Sequence, residues 1–106
     1  MTTAPPPNVF GVIADPTRRA ILQLLRDGER PMGWVAERFD MTQSAISQHL
    51  RALREAGLVQ HRKDGRMRYY RLQPAGLEPV MDWLSYFDEF WNRRLENLNR
   101  HLSRKK

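Results

Sequence analysis

The sequence contains no cysteine. This absence excludes disulfide bonds, zinc sites with cysteine ligands, iron–sulfur clusters and thiol catalysis or sensing. No apolar run approaches the roughly 20 residues that a membrane-spanning helix needs, and the first residues do not have the pattern of a secretory signal. We therefore expect a cytoplasmic protein that does not associate with membranes.

The sequence also lacks the residue combinations on which enzymes depend. It has no Gly-rich phosphate loop and no set of nucleophile and base, while Asp88 and Glu89 are adjacent on a predicted helix and point in different directions. We therefore predict that the protein is not an enzyme and needs no cofactor. Its 106 residues suffice for one small domain, and a core of this size often gains stability by oligomerisation.

Acidic residues are scarce in one block, residues 42–72. The chain has a formal net charge of +6, and this block of 31 residues holds seven basic and two acidic residues, a net charge of +5. The segments before and after it are close to neutral. Positive charge concentrated in this way is typical of a surface that binds a polyanion.

Residues 42–56 are predicted to form a helix with two different faces. Ile46, Leu50 and Leu53 recur at helical spacing and form an apolar stripe. The opposite face carries hydrogen-bonding and basic side chains, which can bind base edges in a DNA major groove. An ordinary surface helix is the alternative for this face alone. The side chains of the polar face are Gln43, Ser44, Ser47, Gln48, Arg51 and Arg54.

The ends of this helix and its neighbour are also specified. Thr42 can cap the first turn, and Gly57 occupies the position that follows a helix C-terminus. A preceding helix over residues 31–39 leaves only Asp40 and Met41 as a connection, which predicts a helix-turn-helix.

The remaining segments give the domain organisation. Residues 1–7 are proline-rich and are predicted to be a disordered N-terminal arm. Residues 8–103 form the folded domain, which begins with a short apolar helix over residues 8–14 and a second helix over residues 15–28. Residues 104–106 are predicted to be a basic tail.

A β-hairpin is predicted after the polar helix, because Asp64-Gly65 separates two strand-like runs. A two-residue turn there pairs Lys63 with Arg66, His61 with Arg68, and Val59 with Tyr70. Cations that face each other destabilise a hairpin, so the cationic tip favours an anionic partner over a solvated turn. The predicted wing cations are Arg62, Lys63, Arg66 and Arg68.

A long helix is predicted from residue 77 to about residue 102. At about 1.5 Å per residue it would span roughly 35–40 Å, more than a domain of this size covers with its own core. A second copy of the chain is the favoured partner, and a purely intramolecular core is the alternative. A ligand site walled by Trp83, Tyr86, Phe87 and Phe90 is a further alternative to a dimer core. The apolar stripe consists of Leu77, Val80, Leu84, Phe87, Trp91, Leu95, Leu98 and Leu102.

Three segments in this order resemble the ArsR family of bacterial winged-helix repressors. They read ADPTRRAIL (residues 14–22), SAISQHLRALREAGLV (residues 44–59) and GRMRYYRL (residues 65–72). The segment WLSYFDEFW (residues 83–91) further resembles the metal-independent branch of SdpR-type autorepressors. Together these likenesses extend over nearly the whole chain.

The resemblance implies a mainly α (α+β) winged helix-turn-helix fold, with about five helices and a two-stranded β-hairpin wing. It also implies a homodimeric, sequence-specific repressor of transcription that binds a palindromic operator in double-stranded DNA. The dimer would be built from the first and last helices. The implied interface residues are Val9, Phe10, Ile13, Leu77, Val80, Met81, Leu84, Phe87, Trp91, Leu95 and Leu98.

Site roles follow from the same resemblance. Thr42, Gln43, Ser44, Ser47 and Gln48 belong to the recognition helix at the major groove, with the last four facing the bases. Arg51 and Arg54 lie toward the phosphates, and the four wing cations lie at the minor groove or its phosphates. His49 is implied either in a DNA contact or in a hydrogen bond that packs the helix.

The family's metal sites are not expected here. Residues 32–36 read Met-Gly-Trp-Val-Ala where metal sensors of the family carry a Cys-x-Cys pair, and Asp82, Asp88, Glu89 and His101 do not form the ligand set that zinc prefers. The alternative function is a winged-helix protein-interaction module without DNA binding. The charge of residues 42–72 favours DNA, because an interaction module does not need a cationic wing.

Overall fold

The computed structural model describes residues 8–104, with side chains as far as Asn99. The predicted winged helix-turn-helix fold is confirmed. The predicted arm, residues 1–7, and the last two residues of the predicted tail lie outside the described residues. In chain order the elements are α1 (Val9–Ile13), α2 (Pro16–Leu24), β1 (Arg30–Pro31), α3 (Met32–Ala36), α4 (Gln43–Glu55), β2 (Val59–Asp64), β3 (Met67–Leu72), a 3-10 helix (Pro74–Leu77), α5 (Glu78–Ser85) and α6 (Asp88–Arg104).

The core lies where the first four helices meet the base of the β-hairpin. Each element contributes a stripe of apolar side chains, because residues three or four apart share one face of a helix. The apolar stripe predicted for α4 is fully buried. The core residues are Val9, Val12, Ile21, Leu22, Leu25, Val35, Ile46, Leu50, Leu53, Leu58, Val59 and Tyr70.

The helix α2 begins as its sequence predicts. The Asp15 carboxylate accepts a hydrogen bond from the Arg18 backbone N–H at 3.1 Å, and Pro16 occupies the first turn. The backbone N–H of Arg18 holds the pKa of Asp15 below its ordinary value. The helix ends at Leu24, one turn before Gly28, which has a φ of 142°.

The turn between α3 and α4 is longer than predicted. The helix α3 ends at Ala36 rather than at residue 39, so residues 37–42 connect the two helices. The backbone N–H groups of Arg38 and Phe39 bond the carbonyls three residues before them, at 3.2 Å each. Such tighter bonds end the regular α-helical pattern before Phe39.

The wing differs from its prediction in register and in strand number. The turn residues are Gly65-Arg66 rather than Asp64-Gly65, so that Asp64 pairs with Met67. Gly65 has a φ of 62°, and a turn that needs positive φ only at its first central position places glycine there. The strand β1 pairs with β3, giving the order β1-β3-β2 instead of a two-stranded wing.

The single long C-terminal helix was a wrong prediction, because α5 and α6 are separate. The Ser85 hydroxyl donates to the Asp82 carbonyl at 2.5 Å. The Tyr86 and Phe87 backbone N–H groups bond carbonyls three residues earlier. A serine that competes for a backbone carbonyl weakens a helix locally. The described chain therefore has six α-helices rather than about five.

Candidate nucleic-acid interface

The helix α4 is fixed at both ends by hydrogen bonds. The Thr42 hydroxyl accepts from the Ala45 backbone N–H at 3.1 Å. At the other end the N–H of Leu58 bonds the carbonyl of Leu53 at 2.9 Å, and the N–H of Gly57 bonds that of Arg54 at 3.0 Å. This pair of bonds with a glycine at positive φ is a Schellman motif. Both ends agree with the sequence prediction.

The outer face of α4 presents the polar side chains that the sequence predicts there. Ile46, Leu50 and Leu53 are completely buried on the inner face, which fixes the orientation of the helix. Ser44 and Gln48, one turn apart, are exposed on the outer face, as is Gln43 at its edge, whereas Ser47 is half-buried. A helix with amide and hydroxyl groups on one exposed face can present them to base edges.

Arg51 shares this face with an acidic partner. Its Nε lies 2.9 Å from Oε1 of Glu55, one turn later on α4; the Arg51 side chain is largely exposed and that of Glu55 about half exposed. An exposed pair of this kind is held weakly. A phosphate can therefore compete with Glu55 for the Arg51 guanidinium.

His49 packs α4 against α2. Its Nδ1 accepts a hydrogen bond from Nε of Arg18 at 3.2 Å, and both side chains are half-buried. This contact supports the packing role among the two that the sequence leaves open. A DNA contact by His49 stays an untested prediction.

Arg54 connects the recognition helix to the wing. Its Nη1 lies 2.9 Å from Nε2 and 3.1 Å from Nδ1 of His61, and it donates to a ring nitrogen that carries no proton. Burial, with the charges of Arg54 and Arg68, lowers the pKa of His61 below its ordinary value. His61 is not among the site residues predicted from the sequence, because no local pattern relates it to Arg54.

The two faces of the wing hairpin separate its cations. Lys63 pairs with Arg68 across the strands, on the face that also carries His61 and therefore lies toward α4. Side chains alternate between faces along a strand, so Arg62 is on the other face. Arg66 lies in the turn at the tip and is exposed.

The Arg62 guanidinium is paired with carboxylates of the same chain. Its Nε lies 3.1 and 3.0 Å from the two carboxylate oxygens of Glu29, and its Nη2 lies 2.7 Å from Oε1 of Glu29. Asp64 lies 3.7 Å away, and the Tyr69 ring lies under the guanidinium at 4.6 Å. The Arg62 hydrogen bond lowers the pKa of Glu29. The structure thus separates Arg62 from the other three predicted wing cations.

The predicted dimer residues differ in how far their own chain buries them. Val9 is buried in the core of its own chain, and Ile13, Leu77 and Val80 pack against that core. Leu84 is half-buried. The remaining predicted residues form an exposed apolar face together with neighbouring aromatic residues. This apolar face consists of Phe10, Met81, Trp83, Tyr86, Phe87, Phe90, Trp91, Leu95 and Leu98.

The described part of the chain offers neither a metal-ion cluster nor a membrane-spanning helix. Among residues 8–99, whose side chains the structure describes, no three histidine, aspartate or glutamate side chains are grouped so that they could hold a metal ion. No helix within the same residues has the length and apolar character required to cross a membrane.

Comparison with known proteins decides the family. Residues 15–61 match the family described as bacterial regulatory protein, arsR family. The transcriptional repressor SdpR of Bacillus subtilis is 39% identical over 80 residues, which cover 76% of this chain and 89% of SdpR. The chain belongs to the ArsR family. The resemblance stated from the sequence is thereby confirmed, and so is the prediction of a regulator rather than an enzyme.

Two further ArsR-family likenesses cover most of the chain. The arsenical resistance operon repressor of Escherichia coli is 35% identical over 104 residues, covering 93% of this chain and 86% of that protein. A crystal structure of a possible transcriptional regulator for arsenical resistance is 49% identical, with a TM-score of 0.66 over 82% of this chain and 92% of that one. Each of these two likenesses covers more than four fifths of this chain.

Proposed function

We propose that the protein is a homodimeric repressor of transcription that binds a palindromic operator. In this proposal α4 enters the major groove, and Gln43, Ser44, Ser47 and Gln48 contact the bases. The observation that carries it is the common orientation of α4 and the wing. The Arg54–His61 contact joins them on the wing face that bears Lys63 and Arg68.

The cations around α4 supply affinity without selecting a sequence. Arg51, Arg54, Lys63, Arg66 and Arg68 surround the polar face, and contacts from such side chains to phosphates fix a protein on the duplex. Because each phosphate contact releases condensed counterions, binding should weaken steeply as the salt concentration rises.

The exposed apolar face supports a homodimer. Trp91, Leu95 and Leu98 are each about half exposed in the single chain, and large exposed apolar patches mark association sites. A twofold dimer presents two copies of α4, so the operator should be palindromic. Its half-site centres should be one helical turn, about 34–36 Å, or a multiple of it apart.

Two kinds of support bear on repression and location. SdpR and the Escherichia coli relative are named repressors, which favours repression over activation. DNA binding and the absence of a membrane-spanning helix among residues 8–104 are consistent with a cytoplasmic site of action.

The experiment begins with selection of duplexes from a randomised library by the wild-type protein. Fluorescence anisotropy titrations then compare Gln48→Ala with Arg66→Ala on the selected operator and on single-base variants of it. Gln48→Ala should relax base preference at one operator position, whereas Arg66→Ala should weaken all sequences to a similar extent. If both variants lost affinity with the same pattern, the assignment of base-reading and phosphate-binding residues would be wrong.

Binding itself is the first outcome of that experiment. If the wild-type protein bound no duplex at about 50 mM salt, the DNA proposal would be refuted in favour of a protein-interaction module. Autorepression is tested separately with the DNA upstream of the protein's own reading frame. An inverted repeat there, protected by the protein, would identify both the operator and autoregulation.

A further inference from the structure

We infer that Glu29 and Arg62 form a brace that sets the position of the wing, and that Arg62 does not contact phosphate. This inference rests on the proposed DNA binding and reassigns one of the four wing cations. The pair joins two segments 33 residues apart through three hydrogen bonds of 2.7–3.1 Å. Its bidentate geometry matches the planar guanidinium to both carboxylate oxygens.

The sheet topology shows what this contact connects. Glu29 directly precedes β1, whereas Arg62 lies on β2, and β3 separates these two strands. The contact therefore crosses β3 above Tyr69, whose ring lies 4.6 Å from the Arg62 guanidinium. It ties the outer strand β2 to the end of the α2–β1 connection.

The brace lies on the face of the hairpin opposite the one that is joined to α4. Pro31 pairs with Tyr69, and Arg62 pairs with Tyr69 from the other side, so these residues share one face of the sheet. His61 and Lys63 lie on the opposite face, which is joined to α4 through Arg54. To contact a phosphate on the α4 side of the hairpin, Arg62 would have to break its hydrogen bonds to Glu29 and reach around from the opposite face.

The consequence is mechanical. β2 is an outer strand, and the hairpin tip extends away from the core, because residues 61–68 are all exposed. A brace on its far face limits the tilt of the hairpin and so holds Lys63 and Arg68 at a defined distance from α4. Loss of either brace residue should therefore lower DNA affinity without removing a phosphate contact.

The first measurement needs no DNA. Amide hydrogen exchange of the free protein is compared for wild type, Glu29→Gln and Arg62→Gln, with Asp64→Asn as the matched control, since Asp64 lies farther from Arg62, at 3.7 Å. Both brace variants should speed exchange in β2 and β3, and the control should not. Unchanged exchange in the brace variants would overturn the inference, whether or not the protein binds DNA.

The second measurement is the salt dependence of anisotropy on the selected operator. Glu29→Gln and Arg62→Gln should each lose about two- to fivefold in affinity, the range of exposed ion pairs, with the wild-type slope of log affinity against log salt. Arg66→Ala removes one phosphate contact from each protomer of the dimer and should therefore lower the magnitude of that slope by about 2. The double variant restores the wild-type net charge and should lose no more than either single variant.

Two results would contradict the brace in that experiment. A smaller slope for Arg62→Gln, together with tighter binding by Glu29→Gln, would identify Arg62 as a phosphate contact that Glu29 competes for. Full DNA affinity in Arg62→Lys would also contradict the brace, because lysine keeps the positive charge but cannot form the bidentate contact with Glu29. Failure of the wild type to bind any duplex would refute the proposed function and leave the exchange measurement to decide the brace.

Discussion

Gly76 is the position where we expect one added methyl group to cost the most. It lies in the 3-10 helix that carries the chain from the wing to α5. A Cβ built there would overlap the carbonyl oxygen of Gly57, and would lie 2.7 Å from its carbonyl carbon and 3.1 Å from the Cα of Leu58. These neighbours are backbone atoms of the turn that ends α4, so no side chain can rotate away.

We expect Gly76→Ala to lower the free energy of unfolding by about 3 kcal/mol, the upper end of the usual cost of overpacking. For a domain of this size each kcal/mol corresponds to about 4–8 °C, so the midpoint should fall by about 12–24 °C. Thermal unfolding followed by circular dichroism at one fixed protein concentration measures this shift, since the midpoint of an oligomer depends on concentration.

Gly33→Ala is the matched control. Gly33 is helical, has no positive φ and would place its Cβ in open space. We therefore expect a change of at most about 1 kcal/mol, in the stabilising direction. The reasoning would be refuted if Gly76→Ala and Gly33→Ala unfolded at the same temperature, because the close backbone approach would then have no energetic effect.

Three further predictions concern α4, the wing and the apolar face. Thr42→Ala removes the cap on the Ala45 N–H and should cost about 1 kcal/mol in urea unfolding; an unchanged midpoint would contradict this. Because the pKa of His61 in the folded protein lies below its ordinary value of 6.5, the contribution of neutral His61 to the free energy of unfolding should be complete above pH 6.5. That contribution should decline as the pH falls below 6.5. His61→Gln should abolish that decline. Leu95→Glu should yield folded monomers in sedimentation experiments, unlike Asn97→Glu on the opposite side of α6; a dimeric Leu95→Glu would refute the assigned interface.

The features that the sequence predicted well depend on neighbours in the chain. Thr42, Gly57 and Asp15 act on backbone groups within a few residues, so local pattern suffices. The buried stripe of α4 follows from helical spacing alone. Strands β2 and β3 were predicted for the same reason, as their residues flank a glycine-containing turn.

The errors arose where competing local signals were close in energy or where distant segments met. Asp64-Gly65 and Gly65-Arg66 both offer a glycine to a two-residue turn, and only the pairing of the whole hairpin selects the second. The break after Ser85 was missed because apolar spacing continues through it while the Ser85 hydroxyl takes a backbone carbonyl. β1 and its contact with β3 join segments that no local pattern relates.

Long-range pairing also changes what the charge count means. The sequence attributes seven cations to residues 42–72, but the structure commits Arg51 to Glu55, Arg62 to Glu29 and Arg71 to Gln60. None of the described carboxylates lies within ion-pair distance of the other four, which are Arg54, Lys63, Arg66 and Arg68. If these four contact phosphate in each protomer of a dimer, and Arg51 exchanges its exposed partner Glu55 for phosphate, the slope of log affinity against log salt should be about −9. A slope near that expected for all seven would mean that DNA also displaces the partners of Arg62 and Arg71.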